Sequence, residues 1–256
     1  MNTPDRLLLT ALPGLPVVQA GDNLAELILA GLESASLRLQ PDDVLVVTSK
    51  IVSKSEGRWL DLRTVTPSEE ARQLAKATEK DPRLVEAVLR ESAAVSRYRS
   101  GVLIVRHRLG FTSANAGIDH SNVGMGGEDW VLLLPEDPDA SARHLRAELL
   151  ARTGVGVGVI ISDTQGRPFR VGNLGVAIGV AGLPAVLDLR GHEDLFGRRL
   201  QSTTVALADA VAAAAGLVSG EADEGRPVVL IRGLQFDTHQ GAAADLIRDP
   251  AFDLYK

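Results

Sequence analysis

One short stretch of the chain combines a carboxylate, hydroxyls and two guanidinium groups directly after an apolar run. The run, residues 155–161, is rich in β-branched side chains and bounded by glycine, which predicts a buried strand that ends on an acid. Asp163 and Thr164 follow it and offer the oxygen ligands that Mg2+ or Mn2+ prefers. Arg167 and Arg170 come next and can hold anionic oxygens in bidentate fashion. These residues predict a site for a divalent cation together with phosphate.

A purely structural interpretation of the same residues stays open, since an Asp-Thr pair at a strand end often only caps the next turn. Two other turns also present acidic side chains near glycine, one at Asp119 and one at Glu221 and Asp223. If the fold gathers these turns around Asp163, carboxylates distant in sequence converge on one cation site.

Two further segments suit a nucleotide. Ser49, Lys50 and Lys54 follow the predicted strand at 44–47 and supply a hydroxyl and two ammonium groups. Residues 15–18 follow a Pro-Gly turn and offer exposed backbone. Ammonium groups near a predicted cation site favour a phosphate-bearing ligand.

Composition limits the classes of protein that are possible. The chain has 256 residues, 45% of them apolar, which suits one large domain or two small ones. It has no cysteine, which excludes disulfides, thiolate metal sites and cysteine nucleophiles. A net charge of -6 argues against a broad nucleic-acid surface. With no signal-like N-terminus and no long apolar run, we expect a cytoplasmic protein without a membrane partner.

The apolar periodicity predicts alternating strands and helices. Strands are predicted at 7–12, 44–47, 130–134, 155–161 and 228–231, with a hairpin from 102–105 to the region of Phe111 and strands or bends at 172–187. Helices are predicted after an N-cap at Asp22 and at 67–77, 81–90, 141–152 and 203–218. The last helix is nearly solid in alanine, so we expect it to pack closely on another backbone.

Several common catalytic patterns do not occur in the sequence. It contains no Gly-x4-Gly-Lys-[Ser/Thr], no His-Glu-x-x-His and no Gly-x-Ser-x-Gly. Gly154, Gly156 and Gly158 alternate within a predicted strand instead of opening a helix, unlike a dinucleotide fingerprint. A nucleotide site in this chain must be built in another way.

Five blocks, in order along the chain, resemble the coenzyme F420-0 gamma-glutamyl ligases. The blocks are residues 14–16, 46–58, 115–122, 162–170 and 177–179. The resemblance implies a mixed α/β (α+β) fold with a two-lobed subunit, in which N- and C-terminal parts form one lobe. It also implies an intertwined homodimer and a single ligase domain over 1–256, without the C-terminal nitroreductase-like extension of two-domain members.

The resemblance assigns roles to particular residues. Asp119 and Asp163 would bind a first divalent cation, Mg2+ or Mn2+, and Thr164 and Glu221 a second, with K+ as a further candidate ion. With Arg167 and Arg170, the two aspartates form the expected catalytic set. The residues that would surround GTP are Leu15, Pro16, Val17, Val18, Ser49, Lys50, Lys54, Asn122, Ser219, Gly220, Glu221, Ala222, Asp223, Glu224, Gly225 and Arg226.

The implied reaction adds L-glutamate to coenzyme F420-0 at the expense of GTP, through an acyl phosphate, with further gamma-linked glutamates as an extension. Three alternatives remain at this point. They are a glutamate ligase for a pterin-type acceptor, a metal-dependent phosphohydrolase and a non-catalytic nucleotide- or metal-binding protein.

Overall fold

The computed structural model describes residues 5–121, 127–236 and 240–253. The strands are β1 (Leu8–Ala11), β2 (Val44–Thr48), β3 (Trp59–Asp61), β4 (Ser92–Arg99), β5 (Val102–His107), β6 (Thr112–Ala114), β7 (Trp130–Leu132), β8 (Gly158–Arg167), β9 (Arg170–Ala181), β10 (Val186–Asp188), β11 (Thr204–Ala206) and β12 (Val228–Arg232). The helices are α1 (Leu24–Ser34), α2 (Ser49–Ser55), α3 (Glu69–Thr78), α4 (Pro82–Arg90), α5 (Pro138–Thr153) and α6 (Leu207–Ser219). Short 3-10 helices lie at Leu62–Thr64, Asn115–Gly117, Ala243–Leu246 and Pro250–Phe252. The expected mixed α/β class is confirmed.

A mixed five-stranded sheet organises the site. Its strand order is β1-β12-β2-β8-β9, and only the β2–β8 pair among these neighbours is parallel. In that pair Thr48 lies opposite Ser162. The residues that follow each of them, Ser49 and Asp163, are therefore neighbours in space.

Adjacent side chains of a strand point to opposite sides of the sheet, so the continuous apolar runs of its central strands make the sheet apolar on both faces. Ile161 belongs to a buried cluster that includes Ile28 of α1 and Leu145 of α5. Ile160 belongs to a second cluster with Val211 of α6. The continuous apolar runs of β2 and β8 are what a sheet covered on both faces requires.

A third buried cluster comes from the middle of the chain. It joins α3, α4 and β5 with Leu62, Ala116, Ile118 and Val131. The segment that carries Asp119 is anchored here, whereas Asp163 lies on the large sheet. The two-lobed subunit and the intertwined homodimer stay predictions.

The predicted end of the central strand was wrong. Strand β8 does not stop at Asp163 but continues to Arg167, because residues 162–167 pair with the first half of β9. Most of the glycine-rich segment at 172–187 forms that partner strand, which ends at Ala181. Asp163 thus lies within a hairpin and not at its end.

Three helix starts also differ from prediction. Asn23, not Asp22, caps α1, since its side chain accepts the Glu26 N–H. Helix α5 begins at Pro138 behind an Asp137 cap. Residues 204–206 form strand β11, which pairs with β10, so α6 begins at Leu207 and not at residue 203.

The alanine-rich helix packs on a backbone, as expected. A Cβ atom added to Gly175 of β9 would lie 2.8 Å from the carbonyl oxygen of Ala212 in α6. Such an approach is possible only where both surfaces lack large side chains. Within the described residues, no helix combines the length and apolarity needed to cross a membrane.

Candidate active site

A cavity of about 620 Å³ opens where β2 gives way to α2, next to the middle of the β8–β9 hairpin. It is bounded by α2, by the segment at Asp119 and Ser121, by β8 and β9, and by α6 with the turn that follows it. Ligand pockets commonly enclose about 300–1,000 Å³, so this cavity is large enough for a small molecule.

The four predicted cation ligands all line this cavity. Asp119, Asp163, Thr164 and Glu221 come from three separate parts of the chain. The Thr164 hydroxyl donates a hydrogen bond to Glu221 Oε1 over 3.3 Å. The structure thus brings the acids together, while their role as ligands stays a prediction.

Asp163 is half-buried and held from both sides. Ser49 Oγ donates to its Oδ1 over 3.1 Å, and Gln165 Nε2 lies 3.5 Å from its Oδ2. Burial, followed by the nearby negative charge of Asp119, raises the pKa of the Asp163 carboxyl to about 6. Two neighbouring carboxylates in such a site favour a bound cation.

An unusual turn places Asp119 beside Asp163. Asn115, Ala116 and Gly117 all have positive φ, at 50°, 54° and 67°. A Cβ on Gly117 would lie 2.6 Å from Leu134 Cδ1 and 3.4 Å from Asp163 Oδ2. Glycine is therefore needed for this turn to lie against both residues.

The Asp119 backbone is fixed by the chain that follows the turn. Its N–H and C=O pair with Leu132 in an isolated antiparallel bridge. This bridge ties the acid to the end of β7, so its position depends on the packing of the middle cluster.

Two lysines of α2 line the same cavity. Lys50 Nζ lies 3.3 Å from Asp119 Oδ2 and donates to the backbone oxygen of Ser121 over 3.3 Å. Lys54 is buried, and burial followed by the charge of Lys50 lowers the pKa of its ammonium. The cavity therefore carries both cationic and anionic side chains.

The predicted nucleotide residues divide into two groups. All of residues 219–226, together with Ser49, Lys50 and Lys54, line the cavity. Residues 15–18 do not line it: Leu15 and Val18 pack on the first apolar cluster, and Val17 is exposed. Asn122 lies outside the described residues.

Arg167 and Arg170 lie away from the cavity. They flank the Pro168–Phe169 turn at the tip of the β8–β9 hairpin. Arg167 lies four residues further along the strand than Asp163, which corresponds to about 13 Å. A role for these arginines in catalysis stays a prediction, and the geometry of the single chain does not place them on the same ligand as Asp163.

Most of this chain is similar to one known protein family. The family model for F420-0:gamma-glutamyl ligase matches residues 14–233. This chain belongs to the F420-0:gamma-glutamyl ligase family. As a member of this ligase family it is an amide-bond-forming enzyme.

Three relatives bear the name coenzyme F420:L-glutamate ligase. The protein of Methanopyrus kandleri is 48% identical over 243 residues, which cover 93% of each chain. That of Methanothermobacter thermautotrophicus is 46% identical over 250 residues, or 97% of this chain and 98% of the relative. That of Archaeoglobus fulgidus is 43% identical over 243 residues, which cover 95% of this chain and 94% of the relative.

The residues of this gamma-glutamyl ligase fit a cation that also binds phosphate. Among the described residues, no three His, Asp or Glu side chains group closely enough to form a complete metal site. Mg2+ in phosphate-transferring enzymes commonly uses only one or two carboxylates, with substrate phosphates and water completing the shell. The pair Asp119 and Asp163 matches that pattern.

The sequence interpretation missed Gln165. It is buried and lies two residues beyond Asp163 on the same strand. Period-two alternation places both side chains on one face of β8. That spacing would have identified Gln165 if the strand had been predicted to continue.

Proposed function

We propose that this chain joins the amino group of L-glutamate to the terminal carboxylate of coenzyme F420-0 at the expense of GTP. The single observation that carries the proposal is the meeting of Asp119, Asp163 and Lys50 in one cavity, in a member of the F420-0:gamma-glutamyl ligase family. The names of the relatives supply the acceptor and the amino acid.

A free carboxylate does not condense with an amine in neutral water, because its oxygen is a poor leaving group. An oxygen of the acceptor carboxylate therefore attacks the γ-phosphorus of GTP, and the bond to the β-phosphate oxygen breaks to release GDP. The glutamate nitrogen, after loss of a proton, attacks the acyl carbon. The carbon–oxygen bond to phosphate then breaks, and the products are the amide and inorganic phosphate.

The chain's own residues bind and orient the phosphates during these steps. Lys50 and Lys54 project from α2 into the cavity and supply positive charge for phosphate oxygens. The turn at 219–226 lines the same cavity. Held by these groups, the γ-phosphate can lie in line with the acceptor carboxylate.

Asp119 and Asp163 would hold one divalent cation, and Thr164 and Glu221 a second. Bound Mg2+ or Mn2+ would supply positive charge that offsets the charge developing on the transferred phosphoryl group. Ser49 and Gln165 orient Asp163 for this purpose through their contacts with its two oxygens. K+ is part of the proposal only as an additional ion, to be tested by omission.

We also propose the homodimer as the functional unit. Phe169 and Val171 at the tip of the β8–β9 hairpin are 94% and 100% exposed, and Leu195 and Phe196 form a second exposed apolar tip. A second copy of the chain that covers these side chains would remove them from water. Sedimentation equilibrium tests this: a monomer at micromolar concentration contradicts it.

Product mass tests the proposed reaction. The purified protein is incubated with coenzyme F420-0, L-glutamate, GTP or ATP, and Mg2+ or Mn2+. A ligase yields GDP, phosphate and an acceptor heavier by one glutamate residue, or by several if addition continues. Phosphate release without glutamate and acceptor would instead indicate a phosphohydrolase, and glutamylation of a pterin alone would reassign the acceptor.

The variant Asp163→Ala should abolish glutamate addition. Asp188→Ala is the matched control, because Asp188 is an ion-paired aspartate of β10 that does not line the cavity. Near-normal turnover by Asp163→Ala at saturating Mg2+ or Mn2+ would contradict the assignment of Asp163.

A further inference from the structure

Lys50 forms an ion pair with Asp119, one of the two carboxylates that we assign to the first cation. Its ammonium lies 3.3 Å from Asp119 Oδ2, and the two side chains are 27% and 35% exposed. A second contact to the Ser121 backbone oxygen, also at 3.3 Å, holds the ammonium over the cavity. The lysine thus neutralises part of the negative charge of the acid pair.

A divalent cation bound to Asp119 would compete with this ammonium for the same carboxylate. Mg2+ approaches a carboxylate oxygen to about 2.0–2.1 Å and accepts only near-octahedral geometry. An ammonium retained on Asp119 Oδ2 would then lie within a few ångströms of the ion, and like charges at that separation repel strongly in a partly dry site. Coordination of Asp119 therefore requires the ammonium to move.

The Lys50 ammonium can move to another position within the same cavity. Lysine carries a compact charge on a flexible four-carbon stem, so Nζ can shift by several ångströms while α2 stays fixed. The cavity that Lys50 lines also contains the turn at 219–226, predicted to surround the nucleotide. Phosphate oxygens bound there would accept the released ammonium.

We propose that Lys50 competes with the divalent cation for Asp119 and, once displaced, binds the nucleotide phosphates. This inference rests on the proposed function and gives Lys50 a specific part in it. Lys50 couples the two ligands: cation binding frees the lysine for phosphate, and phosphate binding frees Asp119 for the cation. By thermodynamic linkage each ligand then raises the affinity for the other by the same factor.

The first test measures Mn2+ binding to Lys50→Met without nucleotide, using the electron paramagnetic resonance signal of free Mn2+. Loss of a half-exposed competing ion pair should tighten Mn2+ binding by about two- to fivefold. Lys50→Arg, which keeps the charge and can pair with Asp119, should stay near wild type. Lys76→Met, at an exposed lysine of α3, controls for the change in net charge.

The second test is binding of GTP without a divalent cation. Lys50→Met should weaken it severalfold, so the two ligands change in opposite directions. The factor by which Mn2+ improves GTP binding should also fall in this variant. A merely structural role of Lys50 would weaken both ligands together or leave both unchanged.

Unchanged or weaker Mn2+ binding in a folded Lys50→Met protein overturns the inference. If Lys50→Met does not fold, Lys50→Gln serves as the test variant instead. The result can be separated from the proposed function: wild-type protein that adds no glutamate, yet shows the opposite changes at Lys50, contradicts the reaction only. Wild-type ligase activity without those changes contradicts the role of Lys50 only.

Discussion

Ser49 Oγ donates a hydrogen bond to Oδ1 of Asp163, at 3.1 Å, between residues 114 positions apart in the chain. The parallel register of β2 and β8 creates this contact, since Thr48 and Ser162 are paired just before it. Ser49 was predicted to contact the nucleotide. The structure adds a role in orienting the acid.

Replacement of Ser49 by alanine should weaken cation binding and glutamate addition. The hydroxyl stabilises the ionised form of Asp163, so its loss raises the pKa of that carboxyl further above its usual range. A hydrogen bond to a charged group contributes about 1.5–3 kcal/mol, which corresponds to roughly ten- to a hundredfold in Mn2+ affinity. The low-pH limb of the activity profile should move to higher pH.

Calorimetric Mn2+ titration and a pH–rate profile measure these effects. Ser55→Ala is the control on the same helix, because the Ser55 hydroxyl donates to the Val52 backbone oxygen instead. A Ser49→Ala protein with wild-type Mn2+ affinity and an unmoved low-pH limb would exclude the orienting role.

The acid pair should cost stability at neutral pH. The Asp163 pKa rises from its ordinary 3.8 to about 6, so between these values the folded protein binds more protons than the unfolded chain. Stability therefore falls as pH rises through that window, and the loss is complete above pH 6. In chelator, Asp163→Asn should exceed wild type by on the order of 1 kcal/mol at pH 7.5, since solvent in the open cavity reduces the full effect.

Thermal unfolding at pH 7.5 and pH 4 distinguishes this effect from better packing. The expected gain in midpoint is about 2–4 °C for a chain of this size, and it should vanish at pH 4. An equal gain at both pH values would mean that ionisation of Asp163 is not the cause.

His107 should produce the opposite pH dependence. Burial, followed by the charges of Arg108 and Arg58, lowers the pKa of this fully buried imidazole to about 4. Between pH 6.5 and 4 the unfolded chain binds the extra proton, so stability falls as pH decreases through this range. The neutral ring stacks on Phe111 and accepts the Leu109 N–H at Nδ1.

Denaturant unfolding of His107→Leu tests this dependence. The variant should lose about 1 kcal/mol at pH 7.5 because the Leu109 N–H loses its acceptor. Its deficit relative to wild type should shrink as pH falls towards 4.5. His192→Leu, at an exposed histidine, should show no such convergence, and a constant deficit for His107→Leu would contradict the assignment.

Gly175 should tolerate no side chain, whereas Gly216 should benefit from one. A Cβ at 175 would overlap the Ala212 carbonyl oxygen at 2.8 Å, so Gly175→Ala should cost about 1–3 kcal/mol. Gly216 lies within α6, where its Cβ would meet nothing closer than Glu221 Oε1 at 4.0 Å. Gly216→Ala should therefore stabilise by up to about 1 kcal/mol through helix propensity. Urea unfolding of both variants measures these changes in stability, and equal destabilisation would refute the close α6–β9 contact.

Local patterns were sufficient for most elements. The apolar runs at 44–47 and 228–231 form central strands, and the run predicted at 155–161 does so from Gly158 onward, since a strand covered on both faces needs continuous apolar side chains. The alanines at 203–218 correctly indicated a helix that packs closely on its neighbour. Helix starts were less predictable, because Asp22 and Asn23 are both good caps; in the structure Asn23 caps α1, whereas Asp22 accepts the N–H of Gln19 in the preceding turn.

The sequence by itself determined which side chains were available, namely the carboxylates at 119, 163 and 221, the lysines of α2 and the absence of thiols, and it carried the family resemblance. Only the tertiary structure decided which of them meet. Strand register and turn geometry, set by hydrogen bonds between distant segments, bring Asp119 to Asp163 and carry Arg167 to the far tip of a hairpin. Such pairings depend on the packing of the whole chain, so no local pattern encodes them.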